Sequence, residues 1–166
     1  MLSVAGKRAV ITGGSRGIGL AIAKRFADEG AACILVGRHE NSLVTAVRTL
    51  PKVTLPHSFI QGDVQRTDTW ESLVAQHNKI DILVNAAGRS QETLLFKTGY
   101  DDISDILASN LGGTAFGCRA VGRLMIKQKT GCIINVSSLM ATKGAKGASV
   151  YAASKAGLLA PKKHGI

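Results

Sequence analysis

Aromatic residues make up only 4% of this 166-residue chain, with one Trp, two Tyr and four Phe. An aromatic-rich β-sandwich core is therefore disfavoured, and so is a ring-stacking surface for single-stranded nucleic acid. Cysteine is also scarce. Cys33, Cys118 and Cys132 contain no C-x-x-C pair, so they read as thiols of a reducing compartment, with no disulfide framework or zinc site. His39, His57, His77 and His164 are scattered without ligand spacing, and no metal is expected. No apolar run reaches the roughly 20 residues needed to span a bilayer, which argues against a membrane partner. Met1 to Lys7 lead almost directly into an apolar run, leaving no room for a signal peptide. The expected compartment is cytoplasmic, with the mitochondrial matrix as the alternative.

Acidic residues are outnumbered, 11 to 21, giving a formal net charge of +10. The basic residues form no dense run and no aromatics interleave them, so nucleic acid is not expected as a partner. A solvated basic surface that attracts phosphorylated or acidic partners accounts for the charge.

Apolar residues reach 45% and glycine 19 copies, enough for one domain of small-residue strands and closely packed helices. Strands are expected at Arg8–Thr12, Ala32–Val36, Ser58–Gln61, Asp81–Asn85 and Gly131–Ser137. Helical spacing follows Gly17 up to a stop at Gly30, then covers about Asn41–Leu50, Thr69–His77 and Asp101–Gln128, and resumes near Ser149. Continuous apolar strands alternating with helices argue for a parallel sheet covered on both faces.

Between the first strand and first helix lies Thr12-Gly13-Gly14-Ser15-Arg16-Gly17-Ile18-Gly19. Glycines there permit a tight turn and let a pyrophosphate approach the amides at the helix start. A structural turn would use the same residues; the strand–loop–helix setting favours phosphate. NAD-binding folds place an acid near the end of the second strand, for the ribose 2′-hydroxyl. Here that corner reads Val36-Gly37-Arg38. Arg38 and Arg16 suit a 2′-phosphate instead, so NADP(H) is the expected cofactor.

Tyr151 and Lys155 stand one helical turn apart, and Ser138 lies thirteen residues before the tyrosine. A phenol titrates near ~10 in water, too high for efficient acid catalysis at neutral pH. A cation at i+4 favours the phenolate, and a serine at a strand end is suited to hydrogen-bonding a carbonyl oxygen. Each residue alone has an ordinary structural explanation.

Taken with the glycine loop, Asp63-Val64, Asn85-Ala86-Ala87-Gly88, Asn110, Ser138 and Tyr151-Ala152-Ala153-Ser154-Lys155, the chain resembles the short-chain dehydrogenase/reductase family. The pattern is nearest to 3-oxoacyl-acyl-carrier-protein reductases and carbonyl reductases, and runs from about Lys7 to Leu159. The resemblance implies a Rossmann-type doubly wound fold and reduction of a carbonyl to a hydroxyl by hydride transfer. It implies that Gly13, Ser15, Arg16, Gly17, Ile18, Gly19, Arg38, Asp63, Val64, Asn85, Ala86, Ala87, Gly88, Tyr151 and Lys155 hold the cofactor. Asn110, Ser138, Tyr151 and Lys155 would be catalytic: Ser138 and Tyr151 on the carbonyl oxygen, Tyr151 as proton donor, Lys155 also on the nicotinamide ribose. Asn110 would break the long helix and hold a water that refills the relay. A small carbonyl substrate, an acyl carrier protein met at Lys127 and Lys129 near one rim of the site, and homo-oligomeric full-length relatives are implied as well.

The family pattern continues past the Tyr/Lys helix, whereas this sequence leaves it at Pro161-Lys162-Lys163-His164-Gly165-Ile166. The expectation is one dinucleotide-binding domain over residues 1–160 with a non-family tail at 161–166. The sheet would stop after its fifth strand and the start of the following helix, leaving that strand as an exposed apolar edge. A chain so shortened is expected to bind nucleotide better than it turns over. The alternative is a non-catalytic nucleotide-binding or subunit-pairing fragment.

Overall fold

In a computed structural model that describes residues 3–159, five parallel strands form one sheet. They are β1 (Arg8–Thr12), β2 (Ala32–Gly37), β3 (Ser58–Gln61), β4 (Ile82–Asn85) and β5 (Cys132–Asn135). Their spatial order is β3-β2-β1-β4-β5. In the register, Ile11 pairs with Leu35 on one side and Val84 on the other, which aligns Thr12 with Val36 and Asn85.

Successive strand residues point to opposite faces, and both faces are covered. Ala9, Ile11, Cys33, Leu35 and Val84 face one layer, which contains α1 (Gly17–Asp28) and α2 (Glu40–Arg48). Val10, Ile34, Val36 and Leu83 face the other, packing on Trp70 and Leu73 of α3 (Thr67–Gln76) and on Val121 and Met125. Burial of each such aliphatic side chain contributes about 1.5–3 kcal/mol before entropy is charged against it. Gly30 stops α1 as expected: its φ is +84° and its N–H donates to Ala27 O at 2.9 Å.

The single long helix expected from Asp101 to Gln128 is interrupted. It consists of α4 (Tyr100–Leu107), a π-type turn at Ala108–Gly112, and α5 (Gly113–Gln128), which carries Val121 and Met125. The turn is centred on Asn110, whose side chain is fully buried and bonded inward. After β5 come α6 (Met140–Lys143), in a stretch with no helical expectation, and α7 (Ser149–Ala156).

The chain winds outward from β1 through β2 to β3, then returns to β1's other side with β4. That reversal opens a crevice at the carboxyl ends of β1 and β4, the usual ligand position in such sheets. Among the described residues β5 pairs only with β4, and Ile134 is 41% exposed, matching the expected apolar edge. The tail expected at 161–166 lies outside the described residues. Among the described residues no helix is long and apolar enough to cross a membrane.

Candidate nucleotide cleft and proton-relay site

The glycine loop lies against the exit of β4, backbone to backbone. Gly13 has φ +66°, donates its N–H to Val36 O at 2.9 Å, and leaves room for nothing larger. A Cβ there would stand 3.0 Å from Ala87 Cα, and one on Gly19 would stand 2.4 Å from Gly13 O. Thr12 holds the opposite wall in register: its Oγ1 accepts the N–H groups of both Ala86 and Ala87 at 3.0 Å. The cap residue of α1, Arg16, makes no side-chain cap bond. The amides of that helix start are thus left to the loop and to an anion.

The resulting cleft has a volume of about 460 Å³. Its walls are Gly13, Ser15, Arg16, Gly17, Ile18 and Gly19 from the loop, Arg38 after β2, Asp63 and Val64 after β3, and Ala86, Ala87 and Gly88 after β4. The structure therefore brings together all of these expected cofactor positions. A neighbouring depression of about 380 Å³ shares Arg38, Gly62 and Asp63 and extends to Arg66 and Asp68, an exposed ion pair at 2.8 Å.

Asn85 is placed differently from its fellow motif residues. Its side chain is 3% exposed and packed under α5, where Nδ2 donates to Asn135 Oδ1 at 2.9 Å and Oδ1 lies 2.9 Å from where a Cβ on Gly117 would stand. Among the described residues its Oδ1 has no hydrogen-bond partner. It joins β4 to β5 and does not line the cleft.

Asn110 and Lys155 meet the cleft at Gly88. A Cβ on Gly88 would lie 3.0 Å from Asn110 Oδ1 and 3.5 Å from Lys155 Nζ. Asn110 Oδ1 accepts the Arg89 N–H at 2.8 Å, while Nδ2 donates to Arg89 O at 3.0 Å and to Ser154 Oγ at 2.9 Å. Ser154 Oγ donates in turn to Tyr151 O at 2.7 Å. Lys155 is 5% exposed and donates to Val136 O at 2.9 Å. Burial pushes its ammonium below the ordinary lysine pKa. Ser138, in the turn into α6, accepts the Met140 N–H at 3.2 Å. The side chains of Ser138, Tyr151 and Lys155 form no hydrogen bonds with one another, and none of the three lines the 460 Å³ cleft, which Lys155 approaches from behind Gly88.

The expected position of Lys127 and Lys129 needs correction. Gln128 bonds the backbone N and O of Ile80, just before β4, so the end of α5 lies at the amino ends of the strands. That is the side of the sheet opposite the crevice, and within one chain these lysines do not rim the site. Lys127 instead complements the carboxyl end of a helix.

Three contributors escaped the sequence reading. Thr12 was visible as the one hydroxyl closing an apolar strand, a usable signal. Ser154 looked like filler between Tyr151 and Lys155. Arg89 lines the cleft while pairing with Asp105 and, at 3.7 Å, with Asp102 on α4, partners that only the fold brings near.

A family model described as short chain dehydrogenase matches residues 7–161. The 3-oxoacyl-[acyl-carrier-protein] reductase FabG of Chlamydia pneumoniae is 39% identical over 163 residues, covering 96% of this chain and 66% of that protein. A similar structure is a metagenomic short-chain oxidoreductase in complex with NADP, with TM-score 0.87, 32% identity, and coverage of 95% and 74%. Another is NAD+-bound xylitol dehydrogenase, with TM-score 0.88, 30% identity, and coverage of 96% and 63%. The chain spans 64% to 66% of the length of the first curated relatives it matches.

Proposed function

This chain belongs to the short-chain dehydrogenase family, and from that premise we propose that it carries the nucleotide-binding and proton-relay parts of an NADP(H)-dependent ketoreductase acting on 3-oxoacyl thioesters. The observation that carries the reading is Gly88. It is a wall of the phosphate-suited cleft and is also within a Cβ's reach of both Asn110 and Lys155. Binding and chemistry therefore share one joint.

The residues fit a dinucleotide. The loop amides and Arg16 take the pyrophosphate, Asp63 and Val64 the adenine side, and Arg38 a 2′-phosphate at the acid-free end of β2. A nicotinamide cofactor held by these residues would supply hydride to the carbonyl carbon. Ser138 donates a hydrogen bond to the carbonyl oxygen and Tyr151 donates its phenolic proton there. Lys155, already partly desolvated, favours the phenolate left behind, and Asn110, in the π-type turn beside Gly88 and Lys155, serves the relay that restores the proton. The thioester specificity rests on likeness to reductases named for acyl-carrier substrates. An acidic acyl carrier is the proposed partner, favoured by the net charge of +10.

A specific observation favours a second reading, a nucleotide-binding chain that pairs through its sheet edge: among the described residues β5 is bonded on one side only, with Ile134 41% exposed.

The test is NADPH oxidation with an acetoacetyl thioester, run on the 166-residue chain and on the same chain extended by its relatives' C-terminal segment. Both should bind NADPH alike, the extended chain should turn over on the order of a hundredfold faster, and Tyr151→Phe should abolish turnover. An extended chain that binds NADPH but never oxidises it would select the second reading.

A further inference from the structure

Gln91 lies in the segment between β4 and α4, about sixty residues before Tyr151, and is 8% exposed. Its carboxamide is fully used. The oxygen accepts the N–H groups of Val150 at 2.7 Å and Tyr151 at 3.2 Å. The nitrogen donates to Thr93 O and to Thr98 Oγ1, both at 3.0 Å. The segment behind it is closed on itself, since Thr98 Oγ1 meets Thr93 Oγ1 at 2.9 Å and reaches Leu94 O at 3.1 Å.

A helix start leaves its first amides without intrahelical partners, and a side chain at the cap normally answers them. The residue at that position of α7 is Ala148, which makes no cap bond. Gln91 supplies the acceptor from a distant loop. That loop begins with Gly88, the joint of the cleft, and with Arg89, whose backbone N–H and C=O are both held by Asn110. The first turn of α7, where Tyr151 sits, is thus tied to the wall of the nucleotide cleft. The second turn is held separately, by Asn110 on Ser154 and by Ser137 Oγ on Lys155 O at 2.9 Å.

We propose that Gln91 is a positioning residue for Tyr151: a remote cap that sets the phenol's place relative to Lys155 and the Gly88 wall. This rests on the reading of Tyr151 as proton donor. Removing the cap loosens the first turn while the Ser154 and Lys155 anchors keep the second turn docked. Tyr151 then loses its fixed relation to Lys155, and the nucleotide cleft is left alone because Gln91 is not one of its walls.

Three variants are compared. Gln91→Leu removes both acceptor and donors. Gln91→Asn withdraws the carboxamide by one methylene and serves if the leucine variant does not fold. Gln91→Glu keeps the acceptor toward α7 and gives up the donors to Thr93 O and Thr98 Oγ1, so it separates the cap from the closure of the loop. In Gln91→Leu or Gln91→Asn, amide hydrogen exchange at Val150 and Tyr151 should rise roughly tenfold or more as the turn frays. Exchange at Ser154 and Lys155 and the NADPH dissociation constant should stay within about threefold of the parent, as should exchange at Val150 and Tyr151 in Gln91→Glu. Unchanged exchange at Val150 and Tyr151 in a folded Gln91→Leu or Gln91→Asn chain would overturn the proposal, and so would equal loosening of both turns. Failure of the parent chain to bind NADPH would count against the ketoreductase reading instead, leaving the exchange to judge Gln91.

Discussion

Replacing Thr12 by Val isolates the clamp that joins the glycine loop to the β4 exit. The substitution preserves volume and β-branching at a position 1% exposed, so little cavity or propensity cost is expected. What it removes is the acceptor for two amides, Ala86 N and Ala87 N, each at 3.0 Å. An amide left buried without a partner costs about 1–3 kcal/mol. Both amides are only part-buried, so the lower end applies to each and the sum is about 2 kcal/mol. Against a stability on the order of 5–15 kcal/mol this is a large fraction. With a urea slope of about 2 kcal/mol per molar, the unfolding midpoint should fall by about 1 M with the slope unchanged. Thr12→Ser keeps the oxygen and loses only a methyl, and should cost about 1 kcal/mol or less. The order is diagnostic: Val below Ser means the hydrogen bonds dominate, and Ser below Val means packing does. A Val variant as stable as the parent would refute the clamp. Nucleotide affinity should fall with it, because Ala86 and Ala87 form a wall of the cleft.

Gly19→Ala places a methyl 2.4 Å from Gly13 O, a backbone atom that cannot rotate away. The displacement should outweigh a helix-propensity gain of about 1 kcal/mol and weaken NADPH binding roughly tenfold, measured by fluorescence titration. Lys129, at φ +55° after α5, is the one non-glycine residue with positive φ among the described residues. Lys129→Gly should relieve about 1 kcal/mol and raise Tm by roughly 2–4 °C in a calorimetric scan. Lys155, its pKa depressed by burial, binds its proton less readily folded than unfolded. Stability should therefore rise as pH climbs toward the ordinary lysine value of 10.5 and level off above it, and Lys155→Met should lack that rise. Urea midpoints against pH check this. They are best taken in a Cys33→Ala background, because burial raises the Cys33 thiol from 9.0 to about 12 and its unfolded-state ionisation lowers stability in the same range.

Much of this architecture was legible from residue order. Strands buried on both faces must be apolar throughout, so Ala32–Val36 and the run ending at Asn85 announced themselves. The glycines of the loop are required by backbone approach, which is why Gly13 to Gly19 mark the cleft in the sequence. Features that depend on distant partners were hidden. Gln91 carries no local signature, since a polar residue in a loop becomes a helix cap only when the fold brings α7 to it. Asn85 shares a motif with Gly88 yet packs against α5 beside Asn135, because it is the last residue of β4 and its side chain points to the face that α5 covers, whereas Gly88 lies beyond the strand. Lys127 and Lys129 were expected near the site from their helix, but α5 runs antiparallel to the strands and carries them to the far end. The interruption of the long helix at Asn110 was expected from the family likeness alone, because nothing in the local spacing distinguishes a π-type turn from a continuous helix.

Whether the crevice between the glycine loop and the β4 exit takes NADP(H) is decided by calorimetric titration of NADPH and NADH into the 166-residue chain and its Arg38→Asp variant. One saturable NADPH site is predicted, tighter than NADH by roughly tenfold or more, with the preference lost in the variant, since one charge-assisted phosphate contact contributes about 1.5–3 kcal/mol. Equal affinity for the two cofactors in the parent chain, or no binding of either, would contradict an NADP(H) site there.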